Sequence, residues 1–405
     1  MNLTNKHDIK KEHIVFLGES TFPDGLAAVQ RMTMMAKALI IGDYEVTVIC
    51  RKGGSRANRN LKFSAEGNFE GINYVYTSGN IFRPDGFLKR NILKIKGMIG
   101  EFKYLYRLKK EQNISAAIIS NHSSFHLFRY RIYSLLIGFP IVLNFVELAS
   151  SMKGREKIFT KINDYVFDHF IIKIVDGALP ISNKLMDNYR THAPSKPSLK
   201  LPILCDFEKF NLNSNTPAKV IMMYSGAASY LELIEFILTG FDQLEIQEEV
   251  FLHLILGGND AELNRVRKRL AVARNRKNIR LTTNVPHKDI PEYYATACAL
   301  LIPLRPTVQD EARFPHKIGE YLASGKPMIT TAFGEINNYG FIDKKNCLIA
   351  DDYDIDAFAD KMKFIVENRK LSEKIGIEGK QFGLKNFDYS GYGKTLREYF
   401  TLVNP

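Results

Sequence analysis

Residues 313–331, RFPHKIGEYLASGKPMITT, decide the fold. The stretch reads as a loop, a short helix and a buried strand. Phe314-Pro315 stands where a helix begins, because a proline in the first turn has no N–H to leave unsatisfied. Ile318, Tyr321 and Leu322 recur at helical spacing, Ser324-Gly325 supplies a C-terminal stop, and Pro327 bars continuation. Met328-Ile329-Thr330-Thr331 then reads as a strand. A helix start offers backbone N–H groups and the positive end of a dipole, both suited to phosphate. Lys317 adds a cation there. Glu320 follows one turn on, where a carboxylate can accept hydrogen bonds from a ribose. The same spacing also fits a plain amphipathic helix with a surface Lys and Glu.

Outward from this segment the chain alternates strands and helices. HIVFLG at 13–18, a helix over Ala27–Ile41 and the strand Glu45–Cys50 form a βαβ opening, which implies a parallel sheet and a right-handed crossover. More strands are expected at 72–76, 116–120, 141–146 and 177–181. LPILCDFEKF at 201–210 reads as a hinge. A second α/β series follows, with strands at 220–225, 251–256, 279–282, 299–303 and 328–331, and a last helix over about 391–402. The fold class is α/β, with two doubly wound units in succession.

The segment FPHKIGEYLASGKPMITT resembles the donor site of GT-B glycosyltransferases, specifically the large retaining group 4. The resemblance is clear from about residue 201 onward and weak before it. It implies two Rossmann-like domains facing a cleft: an acceptor domain over 1–203, with a terminal helix at about 391–405 packing back on it, and a nucleotide-sugar donor domain over 204–390. It further implies that the helix start and Lys317 hold the donor diphosphate and that Glu320 holds the ribose. The backbone at Phe314 and His316 would approach sugar and phosphate. Asn284-Val285-Pro286 matches the segment that contacts the nucleobase, so Val285 and Pro286 are donor-site candidates, although an ordinary strand exit fits equally. Gly25, in the loop GESTFPDG at 18–25, matches a glycine loop near donor and acceptor, and Gly18 matches it more loosely. This loop is not GxGxxG, so a nicotinamide site is poorly supported. Glu147 directly follows an apolar strand, where many relatives carry His. It is placed to contact a sugar hydroxyl, to deprotonate the acceptor, or simply to cap the following segment. His122 and His126 also lie just past a strand end, facing the cleft or the solvent.

Two departures from the family pattern stand out. Tyr224-Ser225-Gly226 matches the strand–Gly opening of the donor domain, but the following AASYLELIEF puts Glu232 where relatives place a phosphate-binding Lys. A desolvated carboxylate there would repel a diphosphate. Either the loop is realigned or the charge is met by Arg305, Arg313 or Lys317, each of which also fits solvated surface charge. Second, the family's two glutamates with seven residues between them become Ala312 and Glu320, with Glu311 one residue out of register.

Composition bounds the rest. The chain has 405 residues, 45% hydrophobic and 25% charged, which is a globular balance over a length that suits two domains. Cys50, Cys205, Cys298 and Cys347 lack metal or redox spacing, so free thiols in a reducing compartment are expected. Asp352-Tyr353-Asp354 spells a metal-binding DxD but sits where a turn and helix N-cap belong, and no metal is expected. No secretory signal is visible, and the apolar stretch 132–146, broken by Gly138 and Pro140, is too short to span a bilayer. The net charge is +12. Residues 1–200 carry 30 Lys/Arg against 17 Asp/Glu and residues 201–405 carry 26 against 27, so the excess lies in the first half. Residues 87–110 combine eight Lys/Arg and one Glu with an apolar helical stripe. That stripe can lie on an anionic membrane surface or pack as a core helix. No nucleic-acid motif is present.

The expectation is thus a retaining, metal-independent glycosyltransferase. It would move a sugar from a nucleoside diphosphate sugar to a hydroxyl of a lipid-linked or polymeric glycan, with no cofactor beyond that co-substrate. It would be cytoplasmic and peripheral on the inner face of the plasma membrane. The alternative is a non-catalytic nucleotide- or glycan-binding accessory protein of the same fold.

Overall fold

In the computed structural model, residues 12–18, 21–25, 27–54, 63–152, 154–212, 219–245 and 249–404 are described. Glu19 and Ser20 of the first loop, the polar N-terminal stretch and Pro405 lie outside these residues. Contacts divide the chain into Met1–Pro202 with Tyr389–Pro405 (unit 1) and Ile203–Asp388 (unit 2).

Unit 1 holds β1 (Glu12–Gly18), α1 (Ala27–Ile41), β2 (Glu45–Cys50), β3 (Glu66–Phe69), β4 (Ile72–Tyr76), α2 (Phe87–Glu111), β5 (Asn113–Ser120), α3 (Ser124–Ile137), β6 (Ile141–Phe145), α4 (Ile158–His169), β7 (Gly177–Pro180) and α5 (Asn183–His192). The sheet order is β3-β4-β2-β1-β5-β6-β7, parallel except for β3, which runs antiparallel to β4. Strands buried on both faces need near-continuous apolar runs. β1 accordingly is buried at every position after its first, and the Nε2 of its buried polar residue, His13, hydrogen-bonds with Thr47 Oγ1 at 2.8 Å. At the sheet's reversal between β1 and β5, Gly18 has φ 135°, and a Cβ there would lie 2.5 Å from the Ser120 carbonyl oxygen, so only glycine fits.

Unit 2 holds β8 (Val220–Ala227), α6 (Leu231–Asp242), β9 (Val250–Gly257), α7 (Asp260–Ala271), β10 (Ile279–Thr283), α8 (Ile290–Ala295), β11 (Ala299–Ile302), α9 (Val308–Ala312), α10 (Lys317–Ala323), β12 (Met328–Thr331), β13 (Leu348–Ala350), α11 (Ile355–Glu367) and α12 (Arg369–Phe387). Its six parallel strands run β10-β9-β8-β11-β12-β13. Both sheets therefore have the Rossmann order, with one added edge strand in unit 1. The core of unit 2 joins Met222, Leu252 and Leu301 of the sheet to Ile234, Phe241 and Phe358 of the helices.

α13 (Gly393–Val403) returns to unit 1. Its Tyr399 hydroxyl donates to the Ala178 carbonyl at 3.1 Å, Phe400 packs on Tyr44, and Arg397 pairs with Glu12 at 3.1 Å. α2 corrects one sequence expectation. Its core-facing side is Gly97, Glu101, Leu105 and Leu108, with Gly97 and Gly100 pressed against the Arg51 and Thr77 carbonyls. The apolar stripe Leu88, Ile92, Ile95 and Ile99 faces solvent, so α2 is not a core helix with a merely basic outer face.

Candidate functional site

In unit 2 the chain leaves β8 and β11 in opposite directions, which makes their carboxyl ends the switch point where open α/β sheets bind ligands. A cluster of charge gathers there. Arg305 follows β11, yet it is only 1% exposed. Its backbone N–H and Nε both donate to Asp310 Oδ2 at 2.9 Å, and Nη2 donates to Oδ1 at 2.9 Å. Its Nη1 donates to Glu232 Oε2 at 3.2 Å. Arg313 Nη2 donates to Asp310 Oδ1 at 2.6 Å and its Nη1 to the Tyr230 hydroxyl at 3.0 Å. Burial alone pushes the Asp310 carboxyl up, but the Arg305 hydrogen bonds and the Arg313 charge pull it down further, so it is held below the usual carboxylate range.

This clamp takes in Glu232, the residue of the first departure from the family pattern. Glu232 sits in the first turn of α6, more than half exposed, and its charge is met by Arg305. Arg305 is consequently not a solvated surface charge: every guanidinium nitrogen already donates to a carboxylate, which makes it a scaffold of the switch point. Arg313, half-buried, is not solvated surface charge either. Sequence reasoning missed Asp310 altogether. The Thr307-x-x-Asp310 spacing announces a helix cap, and Thr307 Oγ1 does accept from the Asp310 amide at 3.2 Å. Nothing in that spacing announces a two-arginine clamp.

α10 is the helix expected from the opening stretch, and it is short. The amides of Ile318 and Gly319 donate to the carbonyls of Pro315 and His316 at 3.0 and 3.1 Å. Two of the expected free N–H groups are thus used by a tight first turn, and the Lys317 side chain carries more of the positive charge there. Lys317 is half-buried, with Nζ 5.9 Å from the centre of the Tyr224 ring. Burial lowers it to about 8, against the raising effect of Glu320.

Glu320 is 4% exposed. Its Oε1 lies 2.9 Å from His287 Nε2 and 3.9 Å from His316 Nε2, and the Tyr294 hydroxyl donates to Oε2 at 3.4 Å. A carboxylate only accepts, so His287 Nε2 carries its proton. Burial pushes Glu320 up. The His287 hydrogen bond and the charges of His316, His287 and Lys317 outweigh it, and the group sits below the ordinary range. His287, which adjoins the Val285-Pro286 pair, was not singled out from the sequence. Its only signal was that adjacency.

The remaining candidates in unit 2 lie around this centre. A Cβ on Gly226 would meet the Tyr224 hydroxyl at 2.4 Å. The Ser225 amide donates to the Tyr321 hydroxyl at 3.2 Å, tying β8 to α10. Asn284, at φ 55°, accepts the Gly258 amide at 3.0 Å and fixes the exit of β10. Val285 is half-buried and Pro286 exposed. Phe314 is stacked on Tyr339 with centroids 5.4 Å apart and lies edge-on to Phe387, so its side chain is a core anchor. Ala312 is fully buried.

In unit 1, Gly25 is pressed onto α1, where a Cβ would meet Val29 Cγ2 at 2.3 Å. Glu147 is half-buried past the end of β6. In the segment after it, the amides of Ala149 and Ser150 donate to the Asp168 carboxylate at 3.0 and 2.9 Å. The His122 ring hydrogen-bonds to the Glu147 backbone, and burial lowers its pKa. His126 lies 2.8 Å from Arg51 Nη1. Asp354 caps α11, accepting the Ala357 amide at 2.8 Å. Among the described residues no group of three or more His, Cys, Asp or Glu is placed to hold a metal ion.

Residues 206–382 match the family described as Glycosyl transferases group 1, a span that contains the whole Arg305–Lys317–Glu320–His287 cluster. No curated protein matches the chain. The fold is that of the GT-B glycosyltransferases. Sucrose-phosphate synthase from Thermosynechococcus elongatus superposes with a TM-score of 0.74 at 14% identity, covering 97% of this chain and 98% of that one. A glycosyltransferase from Rickettsia africae gives 0.67 at 14% identity, covering 98% and 99%. Anabaena HepE in complex with UDP-glucose gives 0.64 at 11% identity, covering 96% and 99%.

Proposed function

We propose that the protein is a retaining glycosyltransferase of family 4. It transfers a sugar from a nucleoside diphosphate sugar to a hydroxyl of a lipid-linked or polymeric glycan at the inner face of the plasma membrane. The observation that carries this reading is the group 1 match over 206–382, because it encloses the buried, charge-balanced cluster at the switch point of unit 2. Solved structures of the same fold are described with UDP-glucose, UDP, and UDP with glucose, which supports a nucleotide sugar as donor. Lys317 stabilises charge on the leaving diphosphate. Arg305 and Asp310 hold Arg313 at the rim of the crevice. Glu320, oriented by His287, accepts the ribose hydroxyls. Glu147 positions or deprotonates the acceptor. The basic α2 attaches the protein to anionic lipid.

Glu320→Ala is expected to weaken UDP or GDP binding by about 1.5–3 kcal/mol, the range for a hydrogen bond to a charged group. Calorimetric titration of folded wild type and variant reads this directly, and equal affinities would remove Glu320 from the site. The reaction needs no metal, since the diphosphate charge is met by protein cations. EDTA should leave turnover unchanged, and loss restored by manganese would overturn that part.

A further inference from the structure

The outer surface of unit 1 carries a feature that sequence periodicity exposed only in part. α2 crosses from β4 to β5, α3 from β5 to β6 and α4 from β6 to β7, all in the same direction across the sheet. Right-handed crossovers place such helices on one face, and contacts join α2 to α3 and α3 to α4. Ser124 N, at the start of α3, donates to Asn163 Oδ1 of α4, and the Tyr133 hydroxyl of α3 donates to the Met98 carbonyl of α2. The three helices therefore form one layer.

The outside of this layer is apolar. Most of the large hydrophobic side chains that are exposed among the described residues lie on it or at its edge. On α3, Phe128, Ile132 and Leu135 recur at helical spacing on the side opposite the buried Tyr130 and Ser134, and Leu135 is 68% exposed. On α4, Phe159 is 83% exposed, and Ile162 and Tyr165 continue its stripe. The exposed stripe of α2 extends the same surface. A contiguous apolar area of this kind marks a docking site rather than ordinary surface.

The charges around it decide what docks. α3 has no carboxylate, and of those on α2 and α4 only Glu111, the last residue of α2, is exposed; Glu101, Asp164 and Asp168 are buried. Lys89, Lys94, Lys96 and Lys103 on α2 and Lys161 on α4 stay exposed. A second copy would bring the same lysines face to face in a two-fold contact, whereas anionic lipid neutralises them. No helix among the described residues is long and apolar enough to cross a membrane, so docking on lipid is interfacial.

We infer that α2, α3 and α4 together form a platform that lies flat on an anionic bilayer, with the apolar side chains of α3 and α4 entering the acyl boundary while the bases of α2 and α4 meet the headgroups. This deepens, and rests on, the reading that α2 attaches the protein to anionic lipid. It differs in adding an apolar anchor that salt alone does not release.

The chain has no tryptophan, so one introduced indole is a clean reporter. Phe159→Trp and Leu135→Trp are placed on the platform, and Val272→Trp, 75% exposed in unit 2, is the control. Each full-length variant is mixed with phosphatidylcholine vesicles, with and without phosphatidylglycerol, and sedimentation and emission are read together. With phosphatidylglycerol, the platform indoles should shift to the blue and the control should not. Part of the protein should stay bound after a high-salt wash. Sedimentation with unshifted platform indoles would overturn the anchor and leave the electrostatic α2 contact standing. No sedimentation even at low salt would overturn both. A blue shift without vesicles that grows with protein concentration would assign the face to a second copy and overturn the lipid platform.

Discussion

Asp310→Ala is expected to lower the stability of the protein by about 3–5 kcal/mol, the cost of leaving a buried charge without its partner. Asp310 is fully buried and receives three hydrogen bonds from Arg305 and one from Arg313. Its removal strands the Arg305 guanidinium, itself 1% exposed, with a single link to the more exposed Glu232. Denaturant unfolding of the full chain measures the loss. Glu232→Gln is the matching control. Its side chain is 59% exposed, so the ion pair is screened by solvent and contributes about 0–1 kcal/mol. Equal and small losses in the two variants would show that the clamp is not a structural centre of unit 2.

Lys317→Ala is expected to cut turnover roughly 10²–10³-fold, the range for removing one preorganised group that stabilises transition-state charge. Stability should hardly change, because the proposed partner of Lys317 is the leaving diphosphate. The pH profile gives a second reading. Burial lowers Lys317 to about 8 in the empty site, so the lysine is charged below that pH and becomes neutral as pH rises through it. Sugar-nucleotide affinity should therefore fall as pH rises past about 8. Lys317→Arg, charged throughout, should flatten that fall. Intact turnover in Lys317→Ala would move the phosphate-binding role to Arg313.

The two Rossmann-type sheets were legible because punctuation and burial agree. Pro315, Gly325 and Pro327 bracket α10, and runs such as VFLHLILG and HIVFLG admit little but a buried strand. β3 escaped because its four residues, EGNF, are all exposed and carry no burial pattern. β13 escaped because it is three residues long. The family resemblance named Lys317 and Glu320 as candidates, and α10 carries both. The sequence could not show that His287, from a different loop, would hold Glu320, or that Arg305 would close on Asp310 and Glu232. Those are pairings of side chains across loops, and no periodicity encodes them. α2 marks a third kind of limit. Its apolar stripe was plain, but which side faces the core depends on Gly97 and Gly100, whose missing side chains let the helix approach the sheet by its less apolar face.

The reaction proposed at the unit 2 site is sugar transfer from a nucleoside diphosphate sugar. Incubating the full-length protein with a panel of UDP- and GDP-sugars, and reading release of the nucleoside diphosphate by slow hydrolysis, tests it most directly. At least one donor should be consumed by the wild type and spared by Lys317→Ala. Nucleotide binding without turnover of any donor, at rates no higher than the variant's, would contradict it and leave the accessory-protein reading.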